Sequence, residues 1–154
     1  METLVLLLAR LGALNDVLIT ECCTREGMTA AELRTLGVLR RTGGEASPSV
    51  IARMIVQTSG GLTATLKRLE GRDLVTRRAD TTDGRGRLVV LTPAGEAAHD
   101  RLLGALLARY ERVLGDVDVE AALTAVRALV DPLEEATRAA SSAAWSSDVL
   151  GVRS

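Results

Sequence analysis

The sequence predicts a mainly α-helical fold that carries a small β-hairpin wing (α+β). Three observations predict it. Apolar residues recur at helical spacing through most of the chain, as at Leu4, Leu7, Leu8, Leu11, Leu14 and Leu18. Residues 58–91 break that pattern: a short helical repeat at Leu62, Leu66 and Leu69 gives way to two strand-like arms, 74–78 and 87–91. Between the arms lies a polar tip from Ala79 to Gly86, with Gly84 and Gly86 as turn residues.

Taken in order, residues 3–23 read as a helix whose leucine stripe is more apolar than one small domain needs. Arg25, Glu26 and Gly27 break it, with Gly27 as the turn residue. Thr29 caps a second helix to about Arg41, and Glu32 stands in the reciprocal position of a capping box. Leu33, Leu36 and Leu39 or Val38 face inward, and Thr42, Gly43 and Gly44 end the helix. Ser47 and Pro48 open the third helix as cap and first helical residue; Ile51, Met54 and Ile55 form its buried face, and it ends near Val56 and Gln57.

The helix of 58–72 follows after a short turn, so the two form a helix-turn-helix. Thr58 or Ser59 caps it through a side-chain oxygen. Gly60 and Gly61 lie in its first turn, at a cost of roughly 1 kcal/mol each against alanine. One reading is a poorly started helix. The other is a bare backbone that lets a second surface come close, at a helix N-terminus suited to a phosphate. Opposite the leucines stand Thr63, Ala64, Lys67 and Arg68, small or cationic side chains that fit a groove. Helix plus hairpin is a winged helix, in which the helix enters a major groove and the wing reaches toward a minor groove.

Thr92 and Pro93 repeat the cap-and-proline device and open a helix to about Leu114, with Leu102, Leu103, Leu106 and Leu107 as its apolar face. Gly115 and Asp116 break it. Asp118 or Val119 begins a last helix to about Ala140, faced by Leu123, Val126, Leu129, Val130 and Leu133. Pro132 either kinks it or divides it into two shorter helices. The Ser- and Ala-rich residues 141–154 are expected to be partly disordered.

Composition narrows the function. The chain has 154 residues, enough for one domain with a real core. Phe is absent and Trp145 and Tyr110 are the only aromatics, which argues against a single-strand binder built on stacking platforms. Formal net charge is −1, yet residues 58–91 hold seven basic and four acidic side chains, a net of +3 on an acidic body. That distribution fits a protein that meets DNA with one face. Cys22 and Cys23 are adjacent and form neither a disulfide framework nor a CxxC pair, in keeping with a reducing cytoplasm. Glu2 stands where a signal peptide would carry positive charge, and Arg10 and Asp16 interrupt the apolar run. No segment is expected to span a bilayer.

The run IARMIVQTSGGLTATLKRLEGRDLV, followed by RRADTTDGRGRLVVLTPAGEA, resembles the MarR family of bacterial transcription regulators over about 47–97. The resemblance implies a winged helix-turn-helix homodimer whose N- and C-terminal helices form the dimer interface. It divides the chain into a dimerisation helix at 1–28, a DNA-binding domain at 29–95, and dimerisation helices and tail at 96–154. Recognition-helix positions of the family map to Ser59, Gly60, Thr63, Ala64, Lys67 and Arg68, and the wing arginine of its D-x-R motif maps to Arg85, with Asp83 before it. Ser47, Thr58, Gly61, Arg77 and Arg87 complete the candidate DNA-contact set. The resemblance also implies a small aromatic or phenolic effector that binds between the dimerisation and DNA-binding parts and releases a repressor from a pseudo-palindromic operator. Three positions depart from the family. Ala64 stands where an arginine is frequent, Asp73 where glycine precedes the first wing strand, and Thr65 where an apolar residue is common.

Other chemistries find little support. His99 is the only histidine, has no second ligand at metal spacing, and reads as a solvated helix residue. No nucleophile–base set or Walker-type loop is present, so no enzyme and no cofactor are expected. Two alternatives stay open. One is a winged-helix protein-interaction module without DNA binding, to which Ala64 and the acidic total charge point. The other is a redox-sensing regulator working through Cys22 or Cys23; these lie at a helix C-terminus near Glu21 and Glu26, a poor setting for a thiolate.

Overall fold

Helical repeats and cap signals translate directly into elements. The structure, a computed structural model, describes residues 1–55, 59–80 and 86–149, without side-chain detail at Ser59 and 138–149. Its elements are α1 (Glu2–Arg25), α2 (Ala30–Arg41), β1 (Glu45–Ala46), α3 (Pro48–Ile55), α4 (Ser59–Glu70), β2 (Val75–Ala79), β3 (Arg87–Leu91), α5 (Pro93–Leu114) and α6 (Val119–Val149). They divide into two compact units, Met1–Arg112 and Val113–Ser154.

In the first unit the caps act as the sequence indicates. Thr29 Oγ1 accepts from the Glu32 N–H, and the Glu32 carboxylate accepts from the Thr29 N–H, closing a capping box on α2. Ser47 Oγ accepts from Val50 N–H at 3.4 Å, and Thr92 Oγ1 accepts from Gly95 N–H at 3.0 Å. Helix α4 ends at Asp73, whose φ of +55° is the left-handed value that Asp tolerates. The Leu74 N–H bonds to Leu69 O, and the Asp73 N–H to Glu70 O, a Schellman closure with Asp in the usual glycine position.

The core gathers Leu33, Leu36, Val38 and Leu39 of α2, Ile51 of α3, Leu62, Leu66 and Leu69 of α4, Val75 and Val89 of the sheet, and Ala98, Leu102 and Leu106 of α5. Thr65, the polar departure in α4, is buried too; its hydroxyl donates to Gly61 O at 3.0 Å, so the helix backbone satisfies it.

The wing differs from the expected two-stranded hairpin: β1 adds a third strand, in the order β1-β3-β2, all antiparallel. Gly43 and Gly44, both at positive φ, turn the chain back after α2, and the Leu91 N–H bonds to Gly44 O at 2.7 Å. A two-residue strand carries no periodicity, so nothing in the sequence marks it.

Helix α5 is rotated from its expected face. Its buried residues are Gly95, Ala98, His99, Leu102 and Leu106, while Leu103 and Leu107 are exposed. His99 is therefore buried rather than solvated, with its ring edge against Gly37 of α2, where an added Cβ would lie 3.5 Å from Nε2. Its Nδ1–H donates to Asp100 at 3.0 Å, and Arg40 of α2 reaches both Asp100 and Glu96 at 3.3 Å. The His99 ring, more than Arg40, holds the Asp100 carboxyl below the usual carboxylate range.

Helix α1 overturns the expectation about membrane-length segments: it is long and apolar enough to cross a bilayer by length and composition. Arg10 and Asp16 are too few to outweigh its leucines and valines. Asp16 pairs with Arg34 of α2, Asn15 accepts from the Tyr110 hydroxyl of α5, and Cys23 is fully buried in the core. Leu4, Val5, Leu6, Leu7, Leu11, Leu14 and Val17 are left exposed.

The second unit is built on α6. Asp118 caps it, with Oδ1 accepting from Ala121 N–H at 3.1 Å. The helix continues through Pro132 as one element and past Ala140 to Val149, beyond its expected end. Leu123, Val126, Val130 and Leu133 are exposed along it.

Gly95 is a point of close approach, because an added Cβ would stand 2.0 Å from Leu74 O, between the start of α5 and the entry to β2. Gly95→Ala should lower unfolding stability by about 1–3 kcal/mol, as overpacking does. Urea unfolding followed by circular dichroism measures it, and an unchanged midpoint contradicts the close approach.

Candidate nucleic-acid interface

Helix α4 is short and has two glycines in its first turn, so its own propensity is poor. What fixes it is burial of Leu62, Leu66 and Leu69, each at most 3% exposed. Helical spacing then places Gly60, Thr63, Ala64, Lys67 and Arg68 outside, and all five are exposed. A Cβ added at Gly60 would meet nothing within 4 Å, so no packing among the described residues requires glycine there.

The cations of this face divide sharply. Arg68 turns back onto Glu32, with Nε 3.2 Å from Oε1 and Nη2 3.4 Å from Oε2. Arg77 of β2 pairs with Glu70 of α4, and Arg78 of β2 with Glu45 of β1. The Glu45 carboxylate raises the Arg78 pKa further above its ordinary value. Arg72 donates to Gly27 O at 3.0 Å. Among the described residues, Lys67 on α4 and Arg87 at the start of β3 are exposed and carry no ion pair. Ser47 is half-buried, caps α3 and shares a 2.9 Å hydroxyl contact with Ser49. Gly61 lies half-buried in the first turn of α4. Thr58, Asp83 and Arg85 lie outside the described residues, as does the Ser59 side chain.

The sequence did not announce Glu32 as part of this region. The one signal was its capping-box position, which explains one carboxylate oxygen but not burial of the whole side chain, at 1% exposure.

Hollows open among the described residues of the first unit. One, of about 380 Å³, is lined by Arg34, Gly37 and Arg41 of α2 and Met54 and Ile55 of α3. Another, of about 260 Å³, runs between the end of α1 and the middle of α5, with Cys22, Arg25, Arg109 and Arg112 on its walls. Among the described residues no group of three or more His, Cys, Asp or Glu side chains gathers as a metal site would.

The MarR family model matches residues 26–86, which runs from α2 through β2 and stops before β3. No curated protein sequence matches the chain. Among solved structures, it is similar to AbsC, a MarR family transcriptional regulator from Streptomyces coelicolor, at 22% identity and a TM-score of 0.79 over 90% of this chain and 94% of that one. A probable transcriptional regulator from Pseudomonas aeruginosa aligns at 26% identity, TM-score 0.69, over 83% and 94%. CouR from Rhodococcus jostii RHA1, solved bound to p-coumaroyl-CoA, aligns at 18% identity, TM-score 0.75, over 83% and 89%.

Burial, and secondarily neighbouring Cys22, push the Cys23 thiol above its ordinary pKa, away from the thiolate that reactivity needs. Native protein should therefore leave Cys23 unmodified by a disulfide reagent near neutral pH, with reaction only after denaturation. Rapid native labelling of Cys23, read by mass spectrometry, reopens a redox role.

Proposed function

We propose, from the premise that this chain belongs to the MarR family of winged helix-turn-helix transcription regulators, that it is a homodimeric, sequence-specific binder of double-stranded DNA. One observation carries the reading: α4 buries its leucines and turns Thr63, Ala64 and Lys67 outward, and Arg87 at the start of β3 is exposed as well. Lys67 and Arg87 supply phosphate contacts, which set affinity, while Thr63 and Ala64 lie against base edges. Gly60 and Gly61 bring the start of α4 close to the backbone, where Ser59 and the helix N-terminus receive a phosphate. Arg85, preceded by Asp83, reaches the flanking minor groove from the wing tip. Two α4 helices in a twofold dimer enter successive major grooves roughly 34 Å apart.

The exposed leucines of α1 and the exposed apolar residues of α6 supply the dimer surface. That assignment accounts for α1 without a membrane: its apolar side faces a partner, while Asp16 and Asn15 tie it to its own fold. The protein works in the cytoplasm, as a repressor released by a small aromatic or phenolic effector; the support is the likeness to CouR, which holds a p-coumaroyl thioester of coenzyme A. Release requires the effector to bind the two arrangements of the dimer with different affinity.

Duplex selected from a random pool tests the reading. Lys67→Ala should weaken binding across sequences and make the log–log salt dependence shallower by about two for a dimer, near 0.9 per lost phosphate contact. Arg85→Ala should do the same. Unchanged slopes in both variants remove the α4-and-wing surface from the contact. Separately, Leu11→Asp should convert a dimer into a monomer in sedimentation velocity, and a dimer of unchanged affinity assigns the interface elsewhere.

A further inference from the structure

We infer that Glu32 and Arg68 are positioning residues for recognition: the buried carboxylate of α2 holds the arginine of α4 and so fixes which side chains of that helix face the DNA. The inference rests on the reading of α4 as the recognition helix. It assigns Arg68 a role other than the phosphate contact that its place in the sequence suggests.

Four observations lead there. Glu32 is fully buried, and its Oε2 is already occupied by the Thr29 N–H at 2.7 Å and the Thr29 hydroxyl at 3.1 Å. A capping box needs no more than that one oxygen and works as well with Gln and at a surface. Its Oε1 is also buried and has no hydrogen bond among the described residues, although Arg68 Nε stands 3.2 Å away, out of line. A buried carboxylate so placed is costly unless a cation faces it, and the only facing cation among the described ion pairs comes from α4, thirty-six positions along the chain.

The leucine stripe alone sets the rotation of α4 loosely. Leu62, Leu66 and Leu69 share one apolar core with the leucines of α2, and contact of one leucine with another survives small turns about the helix axis. An ion pair with one hydrogen bond, Nη2 to Oε2, and a second nitrogen 3.2 Å from Oε1 is more directional than that. Successive helix residues lie about 100° apart, so moving Arg68 off Glu32 also moves Lys67, Ala64 and Thr63 relative to a groove. Arg68 closes against the N-terminal turn of α2, while Lys67, one residue earlier, is left to solvent. Of two adjacent cations, one is spent on geometry and the other is free for DNA.

The experiment uses the full chain, a duplex selected from a random pool, and a random-sequence duplex of equal length. Glu32→Gln keeps an oxygen for the Thr29 N–H and the shape of the side chain while removing the charge. Arg68→Ala removes the cation. Each should lower the preference for selected over random duplex by about tenfold or more, the value of one lost base contact per half-site. The salt slope should stay at the wild-type value, because no phosphate contact is lost. The double variant should do no worse than the poorer single one, since the two act as one unit. Circular dichroism and urea midpoints accompany each variant; a purely structural pair would move the midpoints and leave the preference alone. Should Arg68→Ala not fold, Arg68→Lys carries the same test: it keeps a charge for phosphate but cannot span both oxygens, so preference should fall at constant slope.

An Arg68→Ala slope shallower by about two, with Glu32→Gln at wild-type preference, overturns the inference and makes Arg68 a phosphate contact. Additive losses in the double variant overturn it as well. Wild-type protein that retains no duplex from the pool is a different failure: it removes the DNA-binding reading itself, and with it any recognition role for the pair.

Discussion

The whole structure turns on the burial of three leucines. Helix α4 is twelve residues long and opens with two glycines, and a peptide of that kind does not stay helical in water. Packing Leu62, Leu66 and Leu69 into the core is worth up to about 1.5–3 kcal/mol apiece against an extended chain. It thus makes α4 helical and turns its polar side outward in one step. Fold and binding face have one cause: a core residue every third or fourth position leaves exposed residues at fixed angles between them. Asp73 ends the helix where β2 must begin, and Gly95 lets α5 cross Leu74 closely enough to support that turn.

The charge of the face is smaller than its count of basic residues. Arg68, Arg72, Arg77 and Arg78 all have partners within the fold, and three of these are carboxylates. Exposed pairs such as Arg77–Glu70 contribute little to stability, typically under about 1 kcal/mol. Their effect is on geometry: Arg77 ties β2 to α4, and Arg78 ties β2 to β1 across β3. A surface that uses most of its cations to hold its own shape keeps few for phosphate. Such a surface favours a defined docking geometry over general attraction to polyanions, which suits a chain of net charge −1.

Much of this was legible in the sequence, because caps and periodicities are local. The capping box at Thr29 and Glu32, the Ser47–Pro48 and Thr92–Pro93 starts, and the left-handed Asp73 all stand where residue chemistry places them. What escaped was non-local. Strand β1 is too short to show alternation and exists only because β3 offers it an edge. The face of α5 was misjudged because Leu103 and Leu107 are as apolar as Leu102 and Leu106, so composition could not choose among them. Gly37, in the middle of α2, was the available hint, since a glycine inside a helix signals close approach, here of the His99 ring. The carboxylate partners of Arg68 and Arg77 sit on other elements, which one-dimensional charge counting cannot pair.

These non-local contacts converge on α2. Arg34 joins it to α1 through Asp16; Gly37 receives His99 of α5; Arg40 binds Glu96 and Asp100 of the same helix; Glu32 holds Arg68 of α4. The helix that presents no residue to the proposed DNA face is therefore in touch with every helix that could report to it from within the first unit. Spatial intermediacy is not coupling, which requires an element with two arrangements whose balance both ends bias. What α2 supplies is the economy of the arrangement. A displacement of α1 or α5 that tilts α2 moves Glu32 with it, and the carboxylate is where α4 takes its bearing. A ligand that favoured one tilt over the other would act on α4 only to the extent of its difference in affinity for the two.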